Sequence, residues 1–240
     1  MNHSPRTHVF AAALKYSIPV MVGYLTIGAA FGFLMADAGY PWWLSLVMSV
    51  IIYAGAGQYI AVGLFAAGTS LWEAALVQLV VNVRHMAYGL SMLNRFRNIG
   101  PLRYYLIFGL TDETFALLSS LPQIDAGAKE REEAERAQFM FYVIVLNHCY
   151  WISGTLIGAV AGSLFPFSVE GIGFALTALF IVLMIEQIYK VRKPGIFIIS
   201  AVLAVLGVVL LPSRMSLLAA MAFALALSSF MGKKDRSVAQ

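Results

Sequence analysis

Apolar residues run through this chain in blocks long enough to cross a bilayer, with polar residues gathered in short clusters between them. Tyr16–Ala36, Ala38–Trp72, Ala137–Val169, Pro194–Ser213 and Met215–Gly232 contain no Asp, Glu, Lys or Arg. A membrane-spanning helix needs about 20 apolar residues at a rise of 1.5 Å each. The pattern predicts helical segments at approximately 16–36, 42–66, 71–93, 103–121, 138–163, 171–190, 194–211 and 214–231. "MADAGYPWW" separates the first two and puts Pro41 and the tryptophans at an interfacial position. "QIDAGAKEREEAERAQ" is strongly hydrophilic. Its Lys129/Glu133 and Glu132/Arg136 pairs, spaced i,i+4, suit a short exposed helix, read as a solvated connector.

The expected fold is all-α, a polytopic transmembrane bundle of seven or eight spans. It divides into an N-terminal half (1–122), a hydrophilic connector (123–137) and a C-terminal half (138–240). Short-loop Lys and Arg residues mark the cytoplasmic side. The N-terminus, "KVRK" (190–193) and "GKKDR" (232–236) satisfy that rule with eight spans. "NRFRNIGPLR" objects, since its three arginines then face outward. Six spans with re-entrant segments around "GAGQ" and "TDET" would bring it inside, at the cost of irregular backbone that protein or water must cover. The seven- or eight-span arrangement is preferred. A faint internal repeat also shows: "GAAFG" (28–32) recurs as "GAVAG" (158–162), and Gln58 has a counterpart in Gln187. With eight spans, such copies would be parallel.

Composition sharpens the class. Of 240 residues, 60% are hydrophobic and 12% charged, against about 25% charged in a soluble domain. The net charge of +4 is spread over loop clusters, which reads as topology signalling, since nucleic-acid binding requires a continuous basic patch. The single Cys149 excludes an intrachain disulfide. The first apolar run is too long for a signal-peptide core and is expected to remain as a helix.

Candidate chemistry lies where polar groups enter the apolar blocks. In the segment 71–93, helical spacing aligns Gln78, Asn82, His85 and Gly89 in one stripe. Lipid cannot satisfy such groups, so they face other helices or a water-filled path. Arg84 lies about 100° around the helix from His85. A central Arg costs about 2.5–3.5 kcal/mol on insertion scales and needs a partner. Asp112 and Glu113, in "FGLTDETFALLSS", are the available acids. A structural ion pair and a substrate or proton site both fit.

"YAGAGQY" (53–59) puts Gly55 and Gly57 ahead of a lone Gln58. Glycines here could unwind a helix and expose half-helix N–H groups that attract a carboxylate. Close packing, with Gln58 bonded to a neighbour, is the other reading. Gly28/Gly32 and Gly154/Gly158/Gly162, spaced by four, suit close helix contact. His148 is read as a hydrogen-bonded core histidine, and Glu186 as a partner of the nearby basic loop. No metal-ligand spacing, P-loop or GxSxG elbow occurs. The chain is therefore expected to be no enzyme and to need no cofactor.

Taken in order, "FGFLMADAGY", "IIYAGAGQYIA", "NVRHMAYGLS" and "FGLTDETFAL" resemble the AzlC family, the large subunits of branched-chain amino acid exporters. The resemblance covers residues 16–122 well; beyond them it rests on segment number and "GTLIGAVAG". It implies a permease of the bacterial inner membrane that exports valine, leucine, isoleucine and similar hydrophobic amino acids. It also implies a small AzlD-type membrane subunit as partner. The family motifs fall on Gly55, Gly57, Gln58, Arg84, His85, Asp112 and Glu113, with Asn82 and Tyr59 given less weight. On physical grounds Gly55, Gly57, Gln58, Arg84, Asp112 and Glu113 are candidate substrate-binding residues. His85, Asp112 and Glu113 are candidates for proton coupling, while Met48, Ile52, Phe108 and Phe115 could line a side-chain pocket. The rival readings are an accessory or assembly subunit whose partner forms the path, and a membrane-embedded enzyme.

Overall fold

Glycines at four-residue intervals let two long helices run in backbone contact. The first, α1 (Pro5–Asp37), carries Gly28 and Gly32; the other, Glu130–Leu164, carries Gly154, Gly158 and Gly162. The computed structural model describes residues 5–96, 99–121, 130–164 and 194–210, with isolated positions between 181 and 188. The expected segments 171–190 and 214–231, Glu186, Gln187 and much of the connector lie outside the described residues. Every regular element among the described residues is helical. Contacts divide the chain into a unit Met1–Val169 and a unit Glu170–Gln240.

In the first unit, α1 is followed by α2 (Trp42–Ile51), α3 (Gly55–Ala66) and α4 (Leu71–Met92). After a 3₁₀ turn (Gly100–Leu102) come α5 (Arg103–Phe108), α6 (Asp112–Ser119) and α7 (Glu130–Leu164). In the second unit, α8 (Pro194–Leu210) matches the expected segment 194–211. Two helices among the described residues are long and apolar enough to cross a membrane, Thr7–Asp37 and Glu132–Leu164. Those two correspond to α1 and α7.

Local chemistry sets the ends. At the end of α1, Gly39 takes φ +79°, and Tyr40 N–H donates to the Met35 carbonyl at 3.0 Å. Gly68, at φ +60°, closes α3 in the same way, with Thr69 N–H donating to Leu64. A left-handed residue after the last turn satisfies carbonyls that would otherwise be orphaned, and glycine adopts it without a Cβ penalty. Ser70 and Glu73 form a reciprocal capping box that starts α4.

The segments 42–66 and 103–121, expected as single helices, are each broken in the middle. In the first, the backbone turns at Ile52–Ala54, with Tyr53 at φ +42°. In the second, it turns at Gly109–Thr111, where a Cβ on Gly109 would collide with Ile144. Hydropathy along the chain does not register such turns, because the residues on both sides remain apolar.

Contacts reveal where each broken segment goes. Tyr40, just past α1, packs edge-on against Phe65 near the end of α3, with centroids 5.8 Å apart. The tip residue Tyr53 instead meets Tyr24, midway along α1. Helices α2 and α3 thus enter from the end where α1 finishes and return to it. Helix α4 leaves from that end; its last residue, Met92, and Phe96 in the turn after it join a core with Ala13, Leu106, Leu118 and Met140. It therefore runs antiparallel to α1. From this opposite end α5 and α6 rise to Thr111, beside Tyr24, and return to Leu117 and Ser120, which bond Tyr16 Oη. The described residues of the first unit contain two helical hairpins inserted from opposite ends, each preceded by one long helix.

Helix α7 lies parallel to α1. Phe10 meets Tyr142, Tyr24 meets Trp151, and Gly162 meets Ala36. Added Cβ atoms at Gly158 and Gly32 would collide with the backbone of Ala29 and Thr155. The glycine motifs of the faint repeat are where α1 and α7 pack together.

Candidate functional site

Both hairpin tips end in half-helix N-termini, and the expected polar residues gather around them. On the second hairpin, Thr111 caps α6 by accepting from the Thr114 N–H at 3.3 Å, which leaves Asp112 and Glu113 in the first helical turn. Carboxylates are favoured there by the helix dipole. Arg84 on α4 pairs with Asp112 at 2.7 Å, their side chains 36% and 26% exposed. Tyr88, one turn along α4, donates to the other Asp112 oxygen at 2.7 Å. Its ring stacks on Phe115, with centroids 4.4 Å apart and planes inclined by 11°.

Glu113 faces elsewhere. It accepts from Tyr24 Oη at 2.8 Å, and Tyr24 also bonds Thr111 Oγ1. Thr111 donates to Thr114 Oγ1 at 2.9 Å, and Asn147 Nδ2 donates to the same oxygen at 3.0 Å. The adjacent acids thus bind different elements: Asp112 is held by α4, while Glu113 reaches α1 and, through the threonines, α7.

On the first hairpin, Gly57 lies so close to α4 that an added Cβ would come within 2.7 Å of Gln78 Oε1. Gln78 Nε2 donates to the Gly57 carbonyl at 2.7 Å, and Asn82 in turn donates to Gln78. Gly55 faces the Trp151 ring, 3.1 Å from a Cβ placed there. Gln58 is fully buried, donating to Ser49 Oγ at 3.0 Å and accepting from Trp151 Nε1 at 2.9 Å. Ser49 bonds Thr155 at 2.8 Å, and Tyr59 donates to the Ile27 carbonyl at 2.7 Å. The expected site residues therefore divide. Gly57, Gln78, Asn82, Arg84 and Asp112 line the α4 side, while Gln58 is enclosed by α2 and α7.

Several buried side-chain atoms have no hydrogen-bond partner, among them Arg84 Nε, His85 Nδ1 and Asn82 Oδ1. All three lie on α4 within four residues, beside the Arg84–Asp112 pair. A guanidinium has five N–H donors in a planar fork, so Arg84 can hold Asp112 and still offer Nε to a second acceptor. His85 sits edge-on to Tyr88, with centroids 5.9 Å apart. No group of three or more His, Cys, Asp or Glu able to hold a metal occurs among the described residues.

The apolar candidates scatter. Phe115 borders the ion pair through Tyr88, and Phe108 reaches the other hairpin at Tyr53. Met48 is buried, while Ile52 is exposed on the described unit. Tyr24, Tyr53, Tyr88, Tyr105, Asn147 and Trp151, which hold the tips, were not singled out from the sequence. The available signal was a tyrosine hydroxyl or indole N–H deep in an apolar run, which needs a partner when buried.

Two helices long and apolar enough to cross a membrane, packed around buried polar groups beside an ion pair, fit a helical membrane protein. Within that class the chain belongs to the AzlC family: the model of that family, described as AzlC protein, matches residues 19–165. An uncharacterized membrane protein of Helicobacter pylori strain J99 is 45% identical over 181 residues, which cover 75% of this chain and 76% of that protein. The branched-chain amino acid transport protein AzlC of Bacillus subtilis is 37% identical over 218 residues, 83% of each chain. Inner membrane protein YgaZ of Escherichia coli is 31% identical over 223 residues, covering 90% of this chain and 88% of that one. No solved structure matches the chain significantly.

Proposed function

We propose that this chain forms the transport path of a proton-coupled exporter of branched-chain and other hydrophobic amino acids in the bacterial inner membrane, acting with a small AzlD-type subunit. Family membership supports the substrate class, through the Bacillus subtilis relative named for branched-chain amino acid transport. The observation that carries the site is the Arg84–Asp112 pair at a half-helix start, with Arg84 Nε buried and unpaired beside it.

A zwitterionic amino acid offers a carboxylate and an ammonium a few ångströms apart. Its carboxylate would bind Arg84, with the α3 start at Gly55 and Gly57 as a second donor. Its ammonium would compete for Asp112. Discontinuous helices are the usual place for such sites in secondary transporters. Glu113 and His85 are the neighbouring groups through which a proton could enter the cycle. Gln58 would shape the first tip without touching substrate, since both ends of its amide are in use.

The hairpins also favour the six-span topology. If α1, α4 and α7 span and the apolar runs read from the sequence at 171–190, 194–211 and 214–231 do so too, the Lys/Arg rule would put the N-terminus, "NRFRNIGPLR", "KVRK" and "GKKDR" all on the cytoplasmic side. Long helix plus hairpin then occurs twice in opposite orientation, an inverted pair of the kind that supports alternating access.

The test is uptake of labelled leucine into inside-out vesicles acidified within, made from cells producing the chain alone, the small subunit alone, or both. Accumulation that needs both chains and dissipates with the pH gradient is the expected result. No leucine movement under any gradient would contradict the proposal, and movement driven by the small subunit alone would favour the accessory reading.

A further inference from the structure

His148, on α7, touches both hairpins, through Ser49 and Tyr53 on the first and Tyr105 and Phe108 on the second. It is buried, and both ring nitrogens are engaged. Nε2 lies 3.2 Å from the Ser49 carbonyl on the first hairpin, and Nδ1 lies 3.0 Å from Tyr105 Oη on the second. A carbonyl only accepts, so Nε2 carries the proton. A neutral ring then presents the Nδ1 lone pair to the Tyr105 hydroxyl, which donates. Tyr53 stacks on the imidazole, with centroids 4.2 Å apart and planes inclined by 30°. It is also the one described non-glycine residue in the left-handed region. Its ring meets Phe108 of the other tip at 6.1 Å.

We propose that His148 is the positioning residue that couples proton binding to the hairpin junction: the neutral ring seals the tips together, and the protonated ring releases them. This deepens the proton-coupled transport reading and rests on it.

The groups facing the ring decide the sign. They are Tyr53 and the Ser49 carbonyl from the first hairpin, Tyr105 and Phe108 from the second, and Asn147 and Cys149 as chain neighbours. Glu113 is the acid of this region, and it is held by Tyr24. Neither ring nitrogen is held by a carboxylate. A second proton on Nδ1 would point at the Tyr105 oxygen and force that hydroxyl to turn away. It would also leave a cation enclosed by a carbonyl, a phenol and aromatic rings, which is costly without a counter-charge or water. The charged ring therefore favours tips parted and wetted. By linkage, opening the tips favours proton uptake to the same extent. Imidazole is the side chain whose charge is most readily switched near neutral pH. His85, on α4, lacks this double contact.

The experiment is leucine exchange at equal pH on both sides of proteoliposomes holding the chain and its small subunit, for wild type, His148→Gln and Tyr105→Phe. Leucine-induced thermal stabilisation of each variant verifies that substrate still binds. Wild-type exchange should fall as pH rises through the titration of the imidazole, to a slow alkaline plateau. His148→Gln should run at the slow alkaline wild-type rate at every pH, with leucine stabilisation unchanged. Tyr105→Phe, which removes the hydroxyl gripping Nδ1, should exchange faster than wild type at alkaline pH. A His148→Gln profile that still follows pH overturns the proposal. So does a His148→Gln protein that no longer binds leucine, which would make the residue structural. A wild type that exchanges no leucine at any pH overturns the transport reading instead, and one that exchanges it independently of pH overturns proton coupling.

Discussion

Trp151 donates its indole N–H to Gln58 Oε1 at 2.9 Å, joining α7 to the tip of the first hairpin. Gln58 is fully buried, and its other amide atom is taken by Ser49. Replacing Trp151 with Phe leaves a buried carbonyl oxygen without a donor, which costs roughly 1–3 kcal/mol before any packing loss. Trp151→Phe should lower the thermal unfolding midpoint in detergent. Gln58→Leu should do the same while leaving the leucine KM of the remaining folded protein near wild type. A raised KM without a change in midpoint would put Gln58 in contact with substrate.

The α1–α7 seam makes a sharper contrast. A methyl at Gly158 would collide with the Ala29 carbonyl, and backbone has nowhere to move. A methyl at Gly23 would meet nothing within 4 Å. Gly158→Ala should sharply reduce folded protein recovered from membranes. Gly23→Ala should be neutral or slightly stabilising, because alanine is favoured over glycine in a helix interior by roughly 0.5–1 kcal/mol. Size-exclusion profiles of the two proteins from matched cultures measure this directly.

Topology can be checked by labelling. In a Cys149→Ser background, a cysteine at Asn94 should react with an impermeant maleimide in inside-out vesicles and stay protected in intact spheroplasts. Six spans with two re-entrant hairpins require that result; eight full spans require the reverse.

Much of this architecture can be read from residues, and what cannot has a physical cause. The segment 71–93 matches α4, and the ends of α1 and α7 fall within a residue of the apolar runs, but both helices start well before those runs, at Pro5 and Glu130. The need of Arg84 for an acid follows from the cost of a lone charge in lipid, and it pairs with Asp112. The glycines of "YAGAGQY" flag a break. Hydropathy, however, carries no direction, so a returning hairpin of two short helices looks like one span. The second break is hidden further, because Gly109 is set by its fit against Ile144, a contact distant in sequence. Glu113 looks equivalent to Asp112 along the chain; only the packing of α1 turns it toward Tyr24. His148 reads as a lone core histidine until both hairpins are in place around it.

The central claim is that Arg84 and Asp112 serve substrate as well as each other. Each single neutralisation strands the partner's charge, so Arg84→Gln and Asp112→Asn should each lower the folded yield. The double variant removes both charges and should recover much of that yield, a coupling read from the double-mutant cycle. The measurement is labelled-leucine exchange per folded molecule by the double variant in proteoliposomes with the small subunit. Exchange abolished in well-folded protein is the predicted result. Exchange at the wild-type rate would mean that the pair only holds α4 to the second hairpin and that substrate binds elsewhere.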